Sequence, residues 1–175
     1  EGHALIAFAD ALWIIGGFSF RECTNDVLRS VTASNWGTVS IAPFSPRTEH
    51  AAFVLGDSLY VAGGIGIDHK AMSDVWRTKD GRQWTLVNRS AFSPRMGMST
   101  AVLGNTVYLI GGSDGTRALN DVLSSSDGAV WKSAGDVPFT ARYLGTAAAF
   151  RGRIWVVGGS DAGMKNALND VWCSE

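Results

Sequence analysis

Four carboxylates recur at one place in a longer pattern: Asp26, Asp74, Asp121 and Asp170. Were they to converge, their chemistry would be metal binding or acid–base exchange. Each, however, opens an apolar pair: Asn25-Asp26-Val27-Leu28, Ser73-Asp74-Val75-Trp76, Asn120-Asp121-Val122-Leu123 and Asn169-Asp170-Val171-Trp172. At a loop-to-strand junction such Asp and Asn side chains bond nearby backbone N–H groups. Arginines Arg47, Arg95 and Arg142 recur with steps of 48 and 47. A guanidinium offers five donors, enough for a partner's carboxylate or for a carbonyl or Asp of a neighbouring blade. Of the histidines, His3 and His50 are repeat-equivalent and His69 stands apart. A metal needs three or four converging ligands, and no such spacing is present, so neither a metal nor a cofactor is expected. Seven tryptophans suggest stacking on sugars or bases, but all occupy recurring positions, which points to packing between repeats.

The elements that position these residues follow one period. Gly-Gly closes an apolar run at Gly16-Gly17, Gly63-Gly64, Gly111-Gly112 and Gly158-Gly159, in steps of 47, 48 and 47. Trp36, Trp84 and Trp131 keep the same period. Each unit reads as four short strands. The first is built of small apolar residues, as in Ala51-Ala52-Phe53-Val54-Leu55, and suits an innermost position. A tight turn follows, such as Gly56-Asp57 or Gly104-Asn105, with Ala9-Asp10 the poorest match to that chemistry. The second strand is continuously apolar and ends in Gly-Gly, as expected when both sheet faces are covered. In the first unit the strands are expected near residues 3–9, 11–17, 26–30 and 36–40, with no helix of consequence.

The period, the Gly-Gly after a Tyr/Trp-containing strand and the later Trp resemble the kelch repeat. Gly2-His3 and Arg47-Thr48-Glu49-His50 look like the family's Arg-x-Gly-His start, from which Arg95-Met96-Gly97-Met98 and Arg142-Tyr143-Leu144-Gly145 depart. The resemblance implies an all-β fold, a β-propeller of four-stranded blades, with repeats at approximately 1–46, 47–94, 95–141 and 142–175. The expectation is an incomplete arc of a larger propeller: three full blades plus three strands of a fourth. Further blades, from missing sequence or another chain, would cover its flanks. The Asp80-Gly81 and Asp127-Gly128 turns faintly resemble the sialidase Asp-box but lack its extra residue, and turn chemistry accounts for them.

A formal net charge of −1 gives no electrostatic case for nucleic acid or a membrane surface. No apolar run reaches the roughly 18 residues of a transmembrane helix. Cys23 and Cys173 sit at different heights in their units and are expected not to pair. Asn88-Arg89-Ser90 matches the N-glycosylation pattern, a match that chance supplies.

The stretch between Gly-Gly and Asp is the most variable part of the repeat, and the opposite loop is uniform. Binding usually lives on loops free of scaffold duty. The resemblance implies that the repeated arginine lines the partner-binding face, which the variable loop shares. The partner-contact candidates are therefore Arg47, Arg95 and Arg142, together with the loop residues Arg21, His69, Lys70, Arg117 and Lys165. The preferred reading is a non-catalytic protein-interaction or assembly module with an acidic or polar partner. The alternatives are a glycan-binding or structural extracellular propeller, or part of a kelch-propeller enzyme whose catalytic residues lie in other blades.

Overall fold

A computed structural model describes residues 1–135, 137–161 and 166–175. Among these every regular element is a strand, and none forms a helix that could cross a membrane. The first blade is β1 (Ala4–Phe8), β2 (Ala11–Ser19), β3 (Glu22–Ser30) and β4 (Gly37–Ile41). The second is β5 (Ala51–Leu55), β6 (Ser58–Ala62), β7 (Val75–Thr78) and β8 (Trp84–Asn88). The third is β9 (Ser99–Leu103), β10 (Thr106–Ile110), β11 (Val122–Ser125) and β12 (Lys132–Ser133). The fourth has β13 (Thr146–Phe150), β14 (Arg153–Val157) and β15 (Val171–Cys173). Each sheet is an antiparallel meander in chain order, three of them four-stranded and the last three-stranded. These are the blades of a β-propeller. One boundary differs from expectation: β2 and β3 of the first blade run on past Gly-Gly as a hairpin, pairing Phe18 with Cys23 and Ser19 with Glu22.

The core lies at the seams between blades. Trp13, Ile15, Val27 and Phe44 of the first blade and its link pack with Leu59 and Val61. Phe53, Tyr60 and Val75 meet Met98, Val107 and Leu109. Ala101, Ile110 and Val122 meet Phe139, Ile154 and Val156. This explains the uninterrupted apolar second strands: β6 is buried at every residue because a blade covers each face. On the outer flanks Leu5 and Phe150 remain 59% and 58% exposed.

Near the axis, four repeat-equivalent residues hold left-handed backbone: Gly2, Glu49, Gly97 and Leu144, at φ 65°, 53°, 61° and 55°. The motif's glycine is replaced at two of them, yet the conformation persists because it sets a hydrogen-bond ladder. Glu49 N–H donates to Gly2 O (2.8 Å), Gly97 N–H to Glu49 O (2.8 Å) and Leu144 N–H to Gly97 O (2.7 Å). Among the described residues no bond returns from Leu144 to Gly2.

The Gly-Gly pair makes the tightest contact between link and strand. A Cβ on Gly64 (φ 100°) would lie 2.7 Å from His50 Cβ and 2.8 Å from Thr48 O. On Gly63 it would lie 2.6 Å from Met98 Cε, a side chain of the following blade. The first glycine thus admits the neighbour and the second admits the blade's own inner strand.

All seven indoles are structural in their hydrogen bonds. Trp13 and Trp155 donate to Phe8 O and Phe150 O, and Trp76 and Trp172 to Asp74 and Asp170. Trp36, Trp84 and Trp131 each donate to the carbonyl three residues back, closing one turn type in three blades. In that turn Thr78 Oγ accepts from Gly81 N–H, and Asp80 Oδ1 accepts from Arg82 and Gln83. Ser125 and Asp127 repeat the pattern. In the first blade Thr32 and Ala33 replace the Asp-Gly pair, and exposed Ala33 sits at φ 62° where Gly81 sits at φ 71°. Ala33→Gly is therefore expected to stabilise the chain by about 1 kcal/mol, because it removes the Cβ clash of left-handed backbone. An unchanged or lower urea midpoint would contradict this.

Asn88 is committed to the scaffold. Its Nδ2, the atom a glycan would modify, donates to Ala129 O of the next blade at 2.8 Å. Both cysteines are free, with Cys23 buried and Cys173 exposed.

Candidate functional site

The links between blades and the long loops share one face. Thr48 pairs with Ile65 and Ile65 with Ala71; Met96 pairs with Ser113 and Ser113 with Ala118; Tyr143 pairs with Ser160 and Ser160 with Ala167. The arginines stand beneath these ribbons. Arg47 Nη1 donates to Gly63 O (2.9 Å) and Asp74 Oδ1 (2.8 Å), Nη2 to Asp74 Oδ2 (2.9 Å), and Nε to Ser45 O (3.1 Å). Arg95 repeats this with Gly111 and Asp121, and Arg142 with Gly158 and Asp170. The residue three positions earlier, Phe44, Phe92 or Phe139, lies under the guanidinium at 4.9, 5.7 and 4.9 Å from the ring centroid.

Gly63 and Asp74 are the two feet of the second blade's long loop, so one guanidinium grips both. The same holds at Gly111 and Asp121, and at Gly158 and Asp170. The pairing is bidentate and charge-assisted, the strong geometry for Arg and carboxylate. Burial opposes ionisation of Asp74, but hydrogen bonds from Arg47 and the Trp76 indole outweigh it and hold the carboxyl below its usual range. Bonds from Arg142 and Trp172 hold Asp170 far below it.

This corrects the expectation for the three arginines. Their side chains are 0%, 1% and 2% exposed, with the fork occupied by the same repeat's Asp and carbonyl. They anchor the face and cannot also present themselves to a partner. The remaining candidates lie where a partner could reach them: Arg21, His69, Lys70 and Arg117 are all exposed on the loops. Lys165 lies outside the described residues.

Arg117 is held by Asp114, whose Oδ1 also accepts from the N–H groups of Thr116 and Arg117 and so folds its own loop. Lys70 lies 3.6 Å from Asp68. His50 is buried, and desolvation, then the charges of Arg47 and His3, lower its pKa to about 3, leaving a neutral ring packed against Gly16 of the first blade. No group of three or more His, Cys, Asp or Glu side chains among the described residues could hold a metal ion.

Sequence reasoning missed the Phe under each guanidinium and the pairing of Arg with its own blade's Asp. The Phe was in view as Phe44-Ser45-Pro46-Arg47, Phe92-Ser93-Pro94-Arg95 and Phe139-Thr140-Ala141-Arg142.

Comparison with known proteins agrees with this architecture. The model of the KLHDC2/KLHL20/DRC7 Kelch-repeats domain matches residues 2–175. The Leucine-zipper-like transcriptional regulator 1 homolog of Drosophila melanogaster is 34% identical over 65 residues, which cover 35% of this chain and 7% of that protein. The solved structure of YjhT superposes with a TM-score of 0.74 at 13% identity, covering 99% of this chain and 80% of that one, a likeness of fold.

Proposed function

The chain belongs to the family of the KLHDC2/KLHL20/DRC7 Kelch-repeats domain, and on that footing we propose that it is a protein-interaction module whose partner docks on the face of the long loops. The observation carrying this reading is a contrast within each repeat. The base of the loop is the same in three blades, held by Arg47, Arg95 or Arg142, while the loop above it differs in every blade. A rigid base under a varied, exposed tip is the arrangement in which a scaffold positions binding residues. The propeller here acts as a frame, and further blades in cis or in trans cover the flanks on which the apolar Leu5 and Phe150 are 59% and 58% exposed.

The reading is tested with a photo-crosslinking amino acid placed at His69 or Arg117 on the loop face, and at Lys79 on the opposite face, of the protein in its native cells. Discrete crosslinked protein partners are expected from His69 and Arg117 and not from Lys79. Equal labelling from both faces, or none from the loops, would reject it.

A further inference from the structure

The seam between the third and fourth blades holds a cavity of about 390 Å³. Tyr108, Val122, Phe139, Ile154 and Val156 line it, with Trp172 and Cys173 of β15 and the following Ser174 along one side. One period earlier the same five places are Tyr60, Val75, Phe92, Val107 and Leu109, and they cluster with Trp131. Two periods earlier they are Trp13, Val27, Phe44, Leu59 and Val61, and they cluster with Trp84. The molecule therefore shows twice what a seam of this lining takes: an indole.

The aromatic geometry separates two places beside each phenyl ring. Trp84 meets Phe44 edge-on at 5.1 Å and 87°, and Trp131 meets Phe92 at 5.6 Å and 90°. Trp76 makes a different contact with Phe44, tilted at 6.0 Å and 60°. Trp172 meets Phe139 at 6.3 Å and 55°, and so repeats Trp76 and not Trp84. The edge-on place beside Phe139 belongs to the cavity.

β15 offers backbone for a strand next to that place. One of its edges pairs with β14, through Trp155–Cys173, Val156–Trp172 and Val157–Val171. Among the described residues its other edge pairs with no strand. Such an edge is a template for an added strand. The second blade gives the register, since β8 lies antiparallel to β7 with Trp84 opposite Thr78, Thr85 opposite Arg77 and Leu86 opposite Trp76. Ser174, Cys173 and Trp172 are the repeat equivalents of Thr78, Arg77 and Trp76. A strand added in that register puts its tryptophan opposite Ser174 and its next residue opposite Cys173.

We infer that this edge and cavity form a docking site for an extended segment of a partner polypeptide, which adds antiparallel to β15 and seats a tryptophan against Phe139. Backbone pairing supplies affinity, and the indole-lined seam selects the segment. The site uses none of the loop residues His69, Lys70 or Arg117, so its failure would leave the loop-face reading untouched.

The probe is a synthetic peptide copying residues Asp80–Ser90, which carries Trp84 in its own strand context. Its binding to the whole chain is measured by calorimetry. The Trp84→Ala peptide is expected to bind about tenfold or more weakly, the loss expected for a buried anchor. All these changes lie in the peptide, so folding of the chain is not at stake.

Register is read through Cys173, which is free and exposed. Peptides with Thr85→Cys or Asn88→Cys carry that sulfur as a mixed disulfide with a chromogenic aryl thiol. The Cys173 thiolate attacks the peptide sulfur, a chain–peptide disulfide forms, and the aryl thiolate leaves with its electron pair. Release should be about tenfold or more faster from the Thr85→Cys peptide, because directly opposed residues bring Cα atoms within the roughly 7 Å that a disulfide spans. Cys173→Ser should abolish it.

Equal release from the two peptides, undiminished binding of the Trp84→Ala peptide, or no binding would each overturn the inference. A chain that sediments as a dimer and is dispersed by the peptide would overturn it in favour of a second copy at the seam. Labelling of Cys173 in this chain, but not in the protein purified free of other chains from its native cells, would overturn it in favour of the protein's own strand.

Discussion

Arg95→Ala is expected to lower the free energy of unfolding by about 2–3 kcal/mol, because a fully buried guanidinium and its hydrogen bonds are lost while the Asp121 side chain, 40% exposed, is left partly to solvent. The loss has identifiable parts. Asp121 keeps its charge without its bidentate donor, Gly111 O and Ser93 O lose the N–H groups they accept from, and Phe92 loses the cation above it. Arg95→Lys should recover little, because a single ammonium cannot span both carboxylate oxygens and the glycine carbonyl at once. Equilibrium urea unfolding followed by tryptophan fluorescence measures both. The double variant Arg95→Ala/Asp121→Ala should fall well short of the sum of its parts, since the orphaned charge is gone. A loss under about 1 kcal/mol for Arg95→Ala would put the pair in the class of weak surface bridges. Because the guanidinium holds both feet of a loop, a binding defect in this variant would report a displaced loop and not a lost contact.

The arginines show where sequence reading succeeded and where it stopped. Their period was legible because each blade reuses the same place, and the fold followed from period, glycine pairs and strand patterning. Their burial was not legible. The link before each inner strand looks like a surface segment, and an arginine there reads as exposed until the carboxylate opposite is known. That carboxylate is hidden by arithmetic: Asp74, Asp121 and Asp170 lie 27, 26 and 28 residues after their arginines. The separation varies because the variable loop lies between the two, so no fixed spacing exposes the pair. The matched count of one Arg and one Asp per repeat, with a Phe three residues before each Arg, was the available signal. The hairpin carrying Phe20 escaped for another reason. Apart from Ser19 nothing in Phe18-Ser19-Phe20-Arg21 has turn chemistry, and the left-handed backbone at Phe20 goes against the residue's own preference.

Two Gly→Ala substitutions in the second blade are expected to differ severalfold in cost although both fall at positive φ. Gly56, in the turn between β5 and β6, has φ 61° and open space where a Cβ would stand. Gly56→Ala meets only the left-handed penalty, about 1–2 kcal/mol. Gly64 has φ 100°, beyond the left-handed well that L-residues tolerate, and its Cβ would stand 2.8 Å from Thr48 O and 2.7 Å from His50 Cβ. Neither neighbour can yield. Thr48 is locked to Ile65 by reciprocal backbone bonds of 2.9 Å in each direction, and His50 is buried at the foot of the inner strand. Relief would require the Thr48–His50 link to lift from the Gly-Gly corner, which breaks the two Thr48–Ile65 bonds and disturbs the Arg47 clamp on Gly63. Strained backbone and overpacking together put Gly64→Ala at about 3–5 kcal/mol. Side-by-side urea unfolding of the two variants decides the matter, with limited proteolysis as the readout if Gly64→Ala does not fold. Equal midpoints would mean that Gly-Gly serves only as a turn, and that the close approach of link to strand is not what the repeat preserves.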